Sequence, residues 1–112
     1  MKIICEGIEL SDAVMKVVKA CSTKTTNPIL ESIKVSAEND VLTLLATDGE
    51  IAIEKKIKAE VLEEGAVCVP GKYFSDFIKK LENAQITLSC ESEKLDIKYG
   101  DSESSIQVLP AE

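Results

Sequence analysis

The sequence predicts an α+β domain in which two helices pack on two four-stranded antiparallel sheets. Most apolar residues alternate with polar ones at a period of two, the mark of strands with one wet face. Two segments instead space their apolar residues as helices do. These two segments take the same place in two successive series of strands, so the chain reads as a βαβββ unit written twice. Packing both helices on one side of the sheets is the natural layered solution.

The first half opens with a strand over about 2–6. A helix follows over about 11–21, with Ala13, Val14, Val17, Val18 and Cys21 on one face and Ser11 as a plausible N-cap. Ile33, Val35 and Ala37 alternate with Ser32, Lys34, Ser36 and Glu38 in the next strand. Leu42, Leu44 and Ala46 share a face of the third. Ile51, Ile53 and Ile57 alternate with Glu54, Lys56 and Lys58 in the fourth. Asn39-Asp40 and Asp48-Gly49 read as hairpin turns, Asp-Gly being a preferred two-residue turn. An extra loop, 22–28, is confined to this half.

The second half starts with a strand over about 66–69 and a helix over about 72–82. Pro70 suits the helix start, and Phe74, Phe77, Ile78 and Leu81 form its stripe. Ile86, Leu88 and Cys90, then Leu95, Ile97 and Tyr99, then Ile106 and Val108 complete three strands. Ser92-Glu93 and Gly100-Asp101 separate them. The expected organisation is one domain, 1–112, with pseudo-repeat halves of about 1–60 and 61–112.

The bulk numbers exclude several classes. A chain of 112 residues buries roughly 65% of its unfolded surface, enough for one core. No run of 18 apolar residues is present, and Glu6 and Glu9 interrupt the N-terminal apolar stretch too early for a signal peptide. The expected compartment is the cytoplasm. The lack of histidine removes the commonest general base and a leading metal ligand. Cys5, Cys21, Cys68 and Cys90 show no two-residue spacing and read as reduced, mostly buried thiols, with a disulfide or metal site as the alternative. No phosphate loop or dinucleotide fingerprint occurs, so no cofactor is expected. Carboxylate-only catalysis stays open, but the carboxylates are scattered.

Thirteen lysines against twenty acids give a net charge of −7, unlike a free-standing nucleic-acid binder. The charge is unevenly spread. Residues 11–24 hold Lys16, Lys19 and Lys24 against Asp12, and residues 71–81 hold Lys72, Lys79 and Lys80 against Asp76. Each segment carries +2, which leaves −11 for the rest of the chain. Lysines on a solvated helix face are common, so a basic face on one helix alone signifies little. Both helices show it.

Several segments together resemble a known family. They are Met1-Lys2-Ile3, Thr25-Thr26-Asn27-Pro28-Ile29-Leu30, Ala46-Thr47-Asp48-Gly49-Glu50, Val69-Pro70-Gly71-Lys72 and Val108-Leu109-Pro110-Ala111-Glu112. In this order and spacing, over the whole chain, they are similar to the first domain of bacterial beta sliding clamps. The resemblance implies the DNA-clamp fold and a non-catalytic processivity factor. In that family three such domains per chain, in a homodimer, close a ring around double-stranded DNA, hold the replicative polymerase and are handled by a clamp loader.

By the resemblance, Lys24 and Lys72 occupy basic DNA-contact positions, with Lys at 24 where Arg is frequent. Lys16, Lys19, Lys79 and Lys80 are DNA-facing candidates from the helices alone. The last strand, about 103–109, corresponds to the edge that pairs with a partner chain. Ile106 and Val108 are its apolar residues, and Ser104 stands where the family often has a large apolar one. On the residues alone this strand is an ordinary edge protected by Asp101 and Glu103. The partner-peptide pocket of the family lies outside this chain. The competing reading is a stand-alone acidic protein-interaction module.

Overall fold

The computed structural model describes residues 1–21 and 31–110. Ten strands and two helices follow in the order β1 (Lys2–Glu6), α1 (Gly7–Val17), β2 (Ser32–Glu38), β3 (Val41–Thr47), β4 (Ala52–Lys58), β5 (Glu60–Glu63), β6 (Gly65–Pro70), α2 (Gly71–Ile78), β7 (Gln85–Glu91), β8 (Lys94–Tyr99), β9 (Ser102–Gln107) and β10 (Leu109–Pro110). Each helix tightens into a 3-10 turn, Val18–Ala20 after α1 and Lys79–Leu81 after α2.

The strands form two five-stranded antiparallel sheets, ordered β5-β1-β7-β8-β9 and β10-β6-β2-β3-β4. The sequence led us to expect four strands in each. The additional strands are short. β5 supplies four residues beside β1, and β10 supplies two beside β6, pairing Leu109 with Cys68. Neither is long enough to show a period of two. β10 also divides the expected last strand: β9 ends at Gln107, Val108 donates its N–H to Glu93 O at 2.9 Å, and Leu109 joins the other sheet.

The two series exchange their first strands. β1 pairs with β7, and β6 pairs with β2. Each sheet is therefore three strands from one series plus the opening strand of the other, and β5 and β10 hold equivalent outer places. Separating the series would break both sheets.

One apolar core lies between sheets and helices. Phe74, Ile3, Leu10, Ile33, Leu42, Leu44, Ile78, Ile86, Leu88, Leu95 and Ile97 are fully buried in it. α1 packs on the turn after α2, and α2 packs on the turn after α1, so the helices run in opposite directions. Their starts carry the same device. A Cβ on Gly7 would collide with the carbonyl oxygens of Leu81 and Ala84, and one on Gly71 would meet Cys21 Sγ at 2.6 Å and Glu31 O at 3.0 Å. Glycine is required where the end of one helix crosses the start of the other. Ser11 and Ser75, one turn further along, are buried small residues in the helix interiors.

Helix α1 begins at Gly7, four residues before the expected N-cap at Ser11. Its start is set by tertiary contact, because Gly7 N–H donates to Ala84 O at 2.8 Å. Among the described residues Ser11, 4% exposed, makes only a long contact to Met15 Sδ at 4.0 Å. The turns also redistribute. Asn39-Asp40, with φ of 52° and 60°, is a two-residue turn of the left-handed type. Asp48-Gly49 belongs instead to a four-residue loop closed by the Thr47↔Ala52 pair. There Asp48 Oδ1 accepts from the N–H of Glu50 at 2.9 Å and of Ile51 at 3.0 Å. These two bonds, Ile51's first, hold the Asp48 carboxyl below its ordinary range.

The four cysteines are free thiols. Burial pushes Cys5 up to about 12, with the carboxylates of Glu9 and Glu6 adding to it. Burial also raises Cys21, Cys68 and Cys90.

Candidate nucleic-acid interface

The face of the helix pair turned away from the sheets gathers most of the lysines singled out in the sequence. On α1 and its turn, Ile8, Glu9, Asp12, Met15, Lys16 and Lys19 are exposed. On α2 and its turn, Lys72, Tyr73, Asp76, Lys79 and Lys80 are exposed. The period of 3.6 puts these residues opposite Leu10, Val14, Val17, Phe74 and Ile78, which enter the core. Because the helices are antiparallel, Lys16 and Lys19 lie toward the end where Lys72 starts α2. Lys79 and Lys80 lie toward the start of α1. Lys24 lies outside the described residues.

Not all of this charge is free. Lys16 Nζ pairs with Asp12 at 3.0 Å, and Lys79 Nζ pairs with Asp76 at 3.5 Å. Both pairs are exposed and within one helix, so each contributes a few tenths of a kcal/mol (~0.3–0.5). Lys19, Lys72 and Lys80 make no ion pair among the described residues. The early start of α1 also brings Glu9 into the layer. Residues 7–24 then carry +1 instead of the +2 expected for 11–24, while α2 and its turn keep +2.

Lys72 is the most telling member. It stands in the first turn of α2, where no acid accompanies it and no side chain caps the helix. The positive end of the helix dipole lies there, so a cation costs roughly 0.3–1 kcal/mol. Helix stability does not account for its place. A cleft of about 630 Å³ opens beside it, but Glu31 and Asp76 share the walls with Lys72, so the cleft is mixed in sign.

The expected partner edge divides between core and surface. β9 is the outer strand of its sheet, with one row of backbone groups unpaired among the described residues. Ile106 and Val108 do not project from it; at 6% and 4% exposure they belong to the core of this domain. Ser104 is half-buried and inward, with its hydroxyl 3.4 Å from Tyr99 OH. Tyr99 in turn stands edge-on to Phe77, ring centres 5.7 Å apart. On the opposite sheet face the pairs are polar: Lys98 with Glu103 at 3.9 Å, and Ser105 Oγ donating to Asp96 at 2.6 Å. No group of three or more Cys, Asp or Glu is placed to hold a metal among the described residues.

Over residues 1–112 the sequence matches the family described as DNA polymerase III beta subunit, N-terminal domain. The chain belongs to that family. The Bacillus subtilis beta sliding clamp is 30% identical over 121 aligned residues, covering 100% of this chain and 32% of that protein. The solved Bacillus subtilis sliding clamp superposes with a TM-score of 0.94 at 28% identity, over 99% of this chain and 32% of that one. The Caulobacter crescentus pol III beta structure gives 0.93 at 32% identity, over 99% and 31%. The chain thus spans about a third of the length of the sliding clamps it matches. The duplicated fold with two helices on two sheets is the sliding-clamp domain fold.

Proposed function

We propose that this chain is one domain of a ring-shaped, non-catalytic clamp that encircles duplex DNA and holds the replicative polymerase on it in the cytoplasm. The observation that carries the reading is Lys72, without an ion pair among the described residues and set against its own helix dipole on the exposed helix layer. Lys19 and Lys80 stand on the same layer, Lys16 and Lys79 add paired charge, and Lys24, outside the described residues, is included by the family resemblance alone. Lysines facing phosphates release counterions and read no sequence, which suits a protein that slides. Catalysis plays no part in this role, and no metal or cofactor is required.

The edge strand β9 is the proposed seam with a partner chain of the homodimer. It offers backbone N–H and C=O groups for strand addition. Ser104 is the side chain that a partner residue would cover, while Ile106 and Val108 support the strand from the core. The halves of about 1–60 and 61–112 supply one long edge strand each, β4 and β9, while the short strands β5 and β10 form the other two sheet edges. Polymerase and clamp loader would engage the complete clamp.

The test is binding of a fluorescent blunt duplex by this chain, followed against salt. Weak, sequence-blind binding that falls steeply with salt is expected. Lys72→Glu should weaken it more than Lys98→Glu, which alters the opposite sheet face. Equal losses would refute the helix layer as the DNA side. Binding of an acidic-site partner protein with no duplex affinity would favour the interaction-module reading.

A further inference from the structure

We propose that Asp12 and Asp76 are positioning residues of the helix layer, which compete with phosphates for Lys16 and Lys79 and so keep two of its cationic contacts exchangeable. This rests on the reading of the helix layer as the DNA side. Asp12 Oδ2 holds Lys16 Nζ at 3.0 Å, and Asp76 Oδ1 holds Lys79 Nζ at 3.5 Å. Each pair spans one turn of a single helix, so the helix itself sets its geometry and no other domain is needed for it. The acids recur in register. Gly7 and Gly71 start the helices, the buried Ser11 and Ser75 follow one turn later, and Asp12 and Asp76 come directly after the serines. The lysines do not recur so strictly: Lys16 stands four residues after its acid and Lys79 three. The acid's place is common to both helices, and a lysine reaches it from either spacing.

Helix stability does not call for an acid there. Aspartate is among the weaker helix formers. Asp76 also stands in the last turn of α2, where the dipole disfavours an anion. On a layer that faces a polyanion, each carboxylate would moreover repel the ligand. What the two carboxylates supply is a second partner for the lysine, of the same sign as a phosphate. An exposed pair within one helix shifts an equilibrium only about two-fold, so a phosphate displaces the carboxylate readily. As the duplex moves on, the ammonium returns to its acid instead of holding the phosphate back. Lys19, Lys72 and Lys80, without ion pairs among the described residues, supply the standing attraction.

The test is a double-mutant cycle in duplex binding against salt, with the fold of each variant checked by thermal unfolding. Asp12→Asn removes the charge and keeps the shape. It should strengthen binding about two-fold and steepen the slope of log affinity against log salt by up to about 0.9, one phosphate. In a Lys16→Gln chain the same substitution should leave the slope unchanged. Glu9, without an ion pair among the described residues, is the control, and Glu9→Gln should act alike in both backgrounds. An Asp12→Asn effect of equal size with and without Lys16 would overturn the proposal, leaving the acid a plain repulsive charge. A lowered Tm with unchanged duplex binding would overturn it too, assigning the pair to helix stability. In either case a slope reduced by Lys19→Gln would leave the helix layer standing as the DNA side. No measurable duplex binding by the unsubstituted chain would sink this proposal together with the DNA-facing reading.

Discussion

Replacing Gly7 by Ala should destabilise the domain although alanine is the better helix former. Gly7 starts α1, its φ is not left-handed, and alanine there would ordinarily add up to ~1 kcal/mol. Here the new Cβ meets the carbonyl oxygens of Leu81 and Ala84, backbone atoms that cannot turn aside. Relief requires moving α1 off the end of α2. Overpacking of this kind costs about 1–3 kcal/mol, and losing the 2.8 Å bond from Gly7 N–H to Ala84 O costs about 1 more. The net loss is about 1–3 kcal/mol, or roughly 5–15 °C in Tm for a domain of this size. Thermal and urea unfolding followed by circular dichroism measure it. Gly71→Ala should cost less, because Cys21 Sγ, its nearest obstacle, belongs to a side chain. Adding Cys21→Ala should restore part of that loss. A Gly7→Ala chain as stable as the parent would refute the close helix crossing.

Ile106→Ala in the isolated chain should lose about 2–5 kcal/mol in urea unfolding, as expected for a core residue and not for one waiting at an interface. Asp48→Ala should lower Tm more than Asp48→Asn, since an amide oxygen can still accept from Glu50 and Ile51. The Cys5 thiol, raised from 9.0 to about 12 by burial, supports the fold fully below pH 9 and loses that support as pH rises through 12. Subtracting the pH–stability curve of Cys5→Ala from that of the parent should leave a decline beginning near pH 9, and a flat difference would contradict the burial of Cys5. These changes lie away from the exposed lysines, so the salt slope of duplex binding serves as an independent readout in each folded variant.

Where a residue's neighbours in the chain decide its structure, the sequence was legible. Ile33-Val35-Ala37 and Leu42-Leu44-Ala46 alternate because each strand has one face in the core, and the observed burial follows that alternation. Phe74, Ile78 and their turn fall where the helical stripe put them. Features settled by distant contacts were not legible. The start of α1 depends on Ala84, the exchange of β1 and β6 depends on pairing across the whole chain, and the two-residue β10 depends on β6 running beside it, where Leu109 and Pro110 pair with Cys68 and Val67. For the lysines, one signal stood in the sequence. Asp12 and Asp76, at i+4 and i+3 spacing, announce the pairs that partly neutralise Lys16 and Lys79.

The two helices are alike in what they bury and unlike in what they expose. Each begins with a glycine crossed by the end of the other, and each sets a buried serine one turn on. That matching is what an antiparallel pair with equivalent ends demands, since the same crossing occurs twice. The outer faces obey no such demand. α1 with its turn carries Glu9 and Asp12 against Lys16 and Lys19 and is neutral, whereas α2 with its turn carries three lysines against Asp76. Internal packing cannot explain that difference, because none of these side chains is buried. Nor does helix stability, because Lys72 opposes the dipole of the helix it starts. A net charge of −7 would keep such a domain off DNA if charge acted as a total. Phosphates within a Debye length, about 8 Å at physiological salt, respond to the surface nearest them. In the proposed assembly that surface is the helix layer, where α2 and Lys19 stand.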